Sequence, residues 1–182
     1  MNLFHDIPYG KEDGSYFNVV IDIPYGSSNK YQYDEDGGFF YLDRSLHQQT
    51  FYNFDYGFIP QTIGGDADGI DVVMLLTHPT FPGCVIKARP IGMIVTSDQD
   101  GEDAKVIMVP ITKVDPRFEE YESIDNISKH EQKELLLFFK EYKKLEEAKY
   151  PKIEIKGFDT KENTLKVIQE AVEEYKKHHA HK

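Results

Sequence analysis

Residues 66–71 read Asp66-Ala67-Asp68-Gly69-Ile70-Asp71 and place three carboxylates in one short segment. In extended backbone Asp66 and Asp68 point to the same side, and Gly69 permits a turn that swings Asp71 round to join them. Carboxylate oxygens gathered in this way chelate a hard cation. Mg²⁺ suits them, because it keeps several waters and commonly bridges a few carboxylates to substrate phosphates. A calcium loop of the EF-hand kind is excluded, since Ile70 and Asp71 stand where that loop needs an acidic or amide residue and a glycine. Taken alone, an acidic turn is more often a solvated loop, so the segment gains its weight from what accompanies it.

A second acidic element, Asp98-Gln99-Asp100-Gly101-Glu102-Asp103-Ala104-Lys105, precedes the apolar stretch from Val106 to Pro110. Two acidic loops from one sheet can share metal ions, although Asp103 and Lys105 would also face one side of a strand as an ordinary ion pair. A phosphate site needs cations too, and Lys30, Arg44 and Lys105 fall within or at the ends of predicted strands. Arg offers phosphate a planar fork and Lys a compact charge. Tyr52 and Tyr56 read as core residues with their hydroxyls at the boundary. Together these residues suit metal-assisted hydrolysis of a phosphate-containing substrate, in which cations activate water and stabilise the leaving group.

The first two thirds of the chain must position them as strands. Phe17–Ile23 is rich in β-branched residues and ends at Pro24-Tyr25-Gly26, and Lys30–Asp34 alternates before the turn Asp36-Gly37-Gly38, which leads into a hairpin partner at Phe39–Asp43. Short apolar runs follow at Asp71–Leu76, Val85–Arg89, Ile91–Val95 and Lys105–Val109. Many short strands with frequent turns predict a small barrel or sandwich. The last third changes period: Ser128 and Glu131 form a capping box, with Leu135, Phe138, Phe139 and Tyr142 at helical spacing until Pro151. A short strand at Lys152–Lys156 precedes a second helix opened by Asp159 and Glu162, with Leu165, Ile168, Val172 and Tyr175 on one face.

At 182 residues, with 40% hydrophobic and 13% aromatic content, the chain is expected to fold as one domain over 1–182. Its net charge of −11 works against binding a nucleic-acid backbone. The longest apolar stretches fall far short of the roughly 20 residues that span a membrane. The N-terminus lacks a secretory pattern and Cys84 is the single cysteine, so a cytoplasmic protein is expected. Cys84 reads as a small apolar side chain, and His178, His179 and His181 as a solvated tail.

Several motifs taken in order match a known pattern: Val20-Ile21-Asp22-Ile23-Pro24, Lys30-Tyr31, Leu42-Asp43-Arg44, Phe51-Tyr52 through Tyr56-Gly57, the Asp66/Asp68/Asp71 run, Gly101-Glu102-Asp103-Ala104-Lys105 and Tyr142-Lys143. From about residue 10 to 158 the chain closely resembles soluble family I inorganic pyrophosphatases. The resemblance implies a mainly β fold with α (α+β), an OB-like closed β-barrel flanked by two C-terminal helices, with the last helix and tail at 159–182. It also implies hydrolysis of pyrophosphate with several Mg²⁺ ions, Mn²⁺ being a substitute, and a homo-oligomer, the hexamer foremost. By position, Asp66, Asp71 and Asp103 match direct metal ligands, with Asp98 helping to hold a further ion. Asp68 matches the carboxylate that takes the proton of the attacking water. Lys30, Arg44, Tyr56, Lys105, Tyr142 and Lys143 match phosphate-contacting positions, and Tyr52 a supporting one.

The pattern is broken at four places. The family usually has Glu where this chain has Asp22 and Gln32, and its acidic run usually reads Asp-Gly-Asp-Pro where this one carries Ala67 and Gly69. Losing the proline leaves the loop less preorganised by about 1 kcal/mol of chain entropy. The expectation is an active enzyme with a raised Mg²⁺ requirement. A weakened relative that sequesters Mg²⁺ or pyrophosphate is the alternative. A glycoside hydrolase would explain the carboxylates but neither the lysines and arginine nor the absence of Trp.

Overall fold

The computed structural model describes residues 1–65, 67–98, 101–146 and 153–179. Strand β1 (Phe17–Ile23) and strand β4 (Asp55–Ile59) are buried at every position. Strands covered on both faces read as apolar runs without alternation, and β4, interrupted by Gly57, gives no strand signal in the sequence. Gly57 lies opposite Ile21 of β1. A Cβ there would stand 1.9 Å from the Val20 carbonyl oxygen, so only glycine lets these strands approach.

Among the described residues the main sheet closes on itself. Strand β4 pairs with β5 (Ile70–Met74), which runs parallel to β7 (Gly101–Pro110). Strand β7 pairs with β6 (Val85–Asp98), and β6 returns to β1. The ring β1-β4-β5-β7-β6 is thus a barrel of OB-like kind, with β8 (Glu154–Asp159) added outside on β6. The runs Val85–Arg89 and Ile91–Val95, expected as separate strands, form the single β6. Its register shifts between Pro90 and Gly92, where a bulge accommodates the proline's missing N–H. Strands β2 (Asn29–Asp34) and β3 (Phe39–Ser45) form the expected hairpin, a separate two-stranded sheet.

Both faces of the ring are covered. Val72, Met74, Val106 and Met108 pack with Ile168, Ala171 and Val172 of α2 (Lys161–His179). Their neighbours Val73, Ile107 and Val109 pack with Leu135, Phe138 and Phe139 of α1 (Lys129–Glu141). The Ser128/Glu131 capping box opens α1, each side chain accepting from the other residue's backbone N–H. Helix α1 ends at Glu141 rather than continuing to Pro151, and Tyr142 is its C-cap. Strand β8 begins at Glu154, two residues later than expected. Asp159 closes β8, and the turn into α2 is made by Thr160, whose hydroxyl accepts from Asn163 N at 3.2 Å. His179 stacks on Tyr175 with ring centroids 4.1 Å apart, while His181 lies outside the described residues. No described helix is long and apolar enough to cross a membrane.

The Gly57 contact makes ring closure sensitive to a single methyl group. Gly57→Ala should destabilise the protein by about 3 kcal/mol through backbone overpacking, read as a lower urea midpoint at constant slope.

Candidate active site

The mouth of the barrel, the β2–β3 hairpin and the end of α1 enclose a cleft of about 470 Å³. The parallel pairing of β5 with β7 sets its chemistry. Val72 lies opposite Val106, so the preceding residues Asp71 and Lys105 meet across the pair, and Asp103 lies two residues back along β7 on the same side as Lys105. The Lys105 ammonium accordingly bridges the Asp71 and Asp103 carboxylates. Lys105 is only 6% exposed. Burial alone would lower its pKa, but the two carboxylates outweigh that and hold it above the usual lysine range.

The other expected side chains converge on the same space. Asp22, from the end of β1, Lys30 and Gln32, from β2, Tyr52, Tyr56 and Asp68 all line the cleft, as do Tyr142 and Lys143 just past α1. Tyr56 is buried, and burial followed by the nearby carboxylates pushes its pKa well up. Tyr52 and Tyr142 are shifted the same way, chiefly by burial. Tyr142 stacks on Phe138 with centroids 5.0 Å apart, so it serves both packing and the cleft wall. The Lys143 ammonium lies 5.3 Å from the centre of the Tyr142 ring.

Arg44 is placed differently. Its Nε donates to Glu146 Oε1 at 2.8 Å and its Nη1 to Asp43, and it does not line the cleft wall. Asp43 in turn holds Lys30 at 3.3 Å. Burial works to raise the Asp43 pKa, but Lys30 and Arg44 bring it below the ordinary value. Residue types alone do not single out Asp43 and Glu146. Asp43 directly precedes Arg44, which is a usable signal, whereas Glu146 is 102 positions away from Arg44 and only the fold brings it there.

Asp66 lies outside the described residues, as does the side chain of Asp98. Among the described residues no three acidic, histidine or cysteine side chains are gathered closely enough to hold a metal. The donor set nevertheless fits hard cations. Seven described carboxylates line the cleft against three lysines, an excess that repels itself unless cations enter. Asp22 is 9% exposed and its Oδ1 has no hydrogen-bond partner. Burial, then repulsion from Asp71, raises its pKa well above the usual carboxylate range. Glu35, in the β2–β3 turn, was not anticipated, because a carboxylate in a hairpin turn reads as solvated. It faces into the cleft, where burial and then Asp68 raise its pKa to about 7.

The acidic loop turns at an unexpected residue. Its left-handed conformation falls on Ala67, at φ 69°, and not on Gly69. Gly69 is needed for space instead, because a Cβ there would stand 2.8 Å from the Phe4 ring. Gly64 N donates to Asp68 O at 2.7 Å, Ala67 N to Gly64 O at 3.2 Å, and Ile70 N to Thr62 Oγ1 at 2.9 Å.

A family model described as inorganic pyrophosphatase matches residues 19–176. The inorganic pyrophosphatase of Aquifex pyrophilus is 38% identical over 174 residues, covering 96% of this chain and 97% of the relative. That of Synechocystis sp. is 43% identical over 159 residues, covering 87% and 91%. The crystal structure of the inorganic pyrophosphatase from Thermus thermophilus superposes with a TM-score of 0.90 at 36% identity, covering 97% of this chain and 99% of that one.

The strained residue in the acidic loop gives a direct test of the loop's energetics. A left-handed non-glycine residue costs roughly 1–2 kcal/mol, and glycine's larger unfolded-state entropy returns about 0.5–1 of that. Ala67→Gly should therefore stabilise the protein by about 0.5–1 kcal/mol in chemical denaturation, whereas Ala67→Val should destabilise it.

Proposed function

The chain belongs to the inorganic pyrophosphatase family, and from that premise we propose that its cleft hydrolyses pyrophosphate to two phosphates, with Asp68 as the proton acceptor and Mg²⁺ as the required cation. The observation that carries this reading is the carboxylate excess of the cleft beside Lys30, Lys105 and Lys143. That composition suits a small polyanion only when cations accompany it. Asp66, Asp71 and Asp103 would hold Mg²⁺ directly, Asp98 would help with a further ion, and Asp22 and Gln32 would act from outside that set. When bound, the metal lowers the pKa of water and neutralises substrate charge.

The chain's own side chains do the rest. Asp68 takes a proton from the water as its oxygen bonds to phosphorus and the bridging P–O bond breaks. Lys30 and Lys143 face the substrate oxygens, and the Tyr56 and Tyr142 hydroxyls, kept neutral by burial, donate to them. Arg44, held by Glu146 and Asp43 outside the cleft wall, would have to swing inward to bring its guanidinium to the substrate, while Tyr52 supports the wall. Lys105 neutralises Asp71 and Asp103 in this structure, and its charge stabilises the leaving phosphate once those carboxylates are engaged elsewhere. A cytoplasmic location and a homo-hexameric assembly complete the proposal, the assembly being read by light scattering.

Phosphate release measured across a Mg²⁺ titration tests the assignment. Asp68→Asn should lower kcat by about 10²–10⁴ with the fold intact. No release at saturating Mg²⁺ from the unaltered protein would refute the reading. Gln32→Glu restores a carboxylate to the cleft and should move half-activation to lower Mg²⁺; an unchanged titration would show that Gln32 does not set the metal requirement.

A further inference from the structure

Residues 2–6 form a turn outside every strand and helix, closed by Asp6 N donating to Asn2 O at 2.9 Å and by Asn2 Oδ1 accepting from Phe4 N and His5 N. Contacts from this turn reach three other parts of the molecule. On the cleft side, Asn2 Nδ2 donates to the Glu35 carbonyl and Leu3 N to the Tyr33 hydroxyl at 2.7 Å, both in the β2–β3 hairpin. On the helix side, His5 Nδ1 lies 2.8 Å from the Tyr175 hydroxyl of α2. Between them the turn meets the acidic loop at both of its ends. Gln61, where the chain leads into that loop, is left-handed at φ 54°. Its backbone N–H donates to Phe4 O at 3.1 Å and its side-chain amide to His5 O at 2.8 Å. The next residue, Thr62, ties the loop's base, its hydroxyl donating to Ile59 O at 2.6 Å and accepting from Ile70 N at 2.9 Å. At the far end the Phe4 ring, 2% exposed, occupies the space that a Cβ on Gly69 would need.

A left-handed glutamine persists only where its surroundings over-determine it, and the Phe4 and His5 carbonyls do so here. The hairpin needs a comparable hold, because among the described residues it forms its own two-stranded sheet and no ladder joins it to the ring. Phe4 supplies the shared packing, clustered with Tyr33 of the hairpin, Val20 and Phe58 of the ring and Tyr175 of α2. We propose that the turn at residues 2–6 is a positioning element for the cleft, with Phe4 the stop against which Gly69 seats, so that the neighbouring Asp68 carboxylate is held at its place in the cleft wall. The catalytic consequence rests on Asp68 being the proton acceptor, while the seating of the loop does not. The ring is enclosed by its cluster, so a methyl group at position 69 must move the loop and not the ring. A displacement of about 1 Å at a group facing the attacking water costs up to about 10²-fold in turnover.

Backbone amide exchange of the full chain without metal, followed by NMR, reads the seating of the loop, and kcat at saturating Mg²⁺ reads its consequence. Gly69→Ala should speed exchange at Ile70 by about tenfold or more while β1 and β4 amides stay as protected as before, which a general loss of stability would not allow. It should also lower kcat by about tenfold with little change in KM. Phe4→Leu keeps the cluster filled but lacks the ring carbon that the new methyl meets, so adding it to Gly69→Ala should recover most of both losses. Asn2→Ala, which unlocks the turn without touching the loop, should change Ile70 exchange and kcat in the same direction and to a smaller degree. Ile70 exchange unaltered by Gly69→Ala and by Asn2→Ala would overturn the proposal, as would equal losses from Gly69→Ala in the presence and absence of Phe4→Leu. Faster exchange that Phe4→Leu reverses, with kcat unchanged throughout, would uphold the seating of the loop and refute the role given to Asp68.

Discussion

A buried ammonium held between two carboxylates on the barrel's parallel strand pair is the constraint around which the structure is arranged. Lys105 is 6% exposed, and without Asp71 and Asp103 its charge would have to be given up or carried to water. Removing one partner from a buried pair costs about 3–5 kcal/mol, much more than an exposed pair contributes. The register between β5 and β7 is therefore fixed twice over. The apolar positions Val72, Met74, Val106 and Met108 must face α2, and Asp71 must arrive opposite Lys105. A slip of one residue would exchange the apolar sets that face α2 and α1 and strand the lysine.

The surrounding parts keep that pair of strands in place. Gly57 lets β4 press against β1, which closes the ring next to β5. Helix α1 stops with Tyr142 at its cap, which delivers Tyr142 and Lys143 to the cleft rim instead of extending them past it. On the opposite rim, Asp43 connects Lys30 to Arg44, and Glu146 fixes the far side of the guanidinium. Arg44 is held by two acidic partners, so little of its rotamer freedom remains.

How much of this was legible in the sequence depends on whether local pattern or distant contact decides. The hairpin from Lys30 to Asp43 announced itself by alternation around Asp36-Gly37-Gly38, and α1 by its capping box. Asp103 and Lys105 were readable because a spacing of two fixes their side on a strand, whereas Asp71 was expected to join the site through a turn at Gly69. Strand β4 was not readable, since both of its faces are buried and alternation vanishes. Pro90 looked like a strand break, because in sequence a bulge and a terminus give the same signal. Gly69 was taken as the flexible point of the acidic loop, yet the left-handed residue is Ala67, and Phe4 determines why position 69 is glycine. Contacts such as Glu146 with Arg44 depend on chain closure, which no local window contains.

An acidic chain acting on a polyanion has to reverse its own field at one place. The net charge is −11, and the described cleft has more than twice as many carboxylates as lysines. Burial first, and then that crowding, raise the pKa values of Asp22 and Glu35. Protonation can relieve it, but a protonated carboxyl is a poor ligand for a hard cation. A divalent cation relieves the same repulsion and keeps the oxygens available. Unit charges about 4 Å apart interact by about 4 kcal/mol at an effective dielectric near 20, so each carboxylate brought beside a cation favours its entry strongly. Pyrophosphate meets the opposite condition, repelled by a bare cleft and attracted to one already filled. Electrostatics therefore orders the events on the proposed reading: cations first, then substrate. Lys105 keeps Asp71 and Asp103 together beforehand, its ammonium supplying on that reading part of the positive charge that a cation would bring.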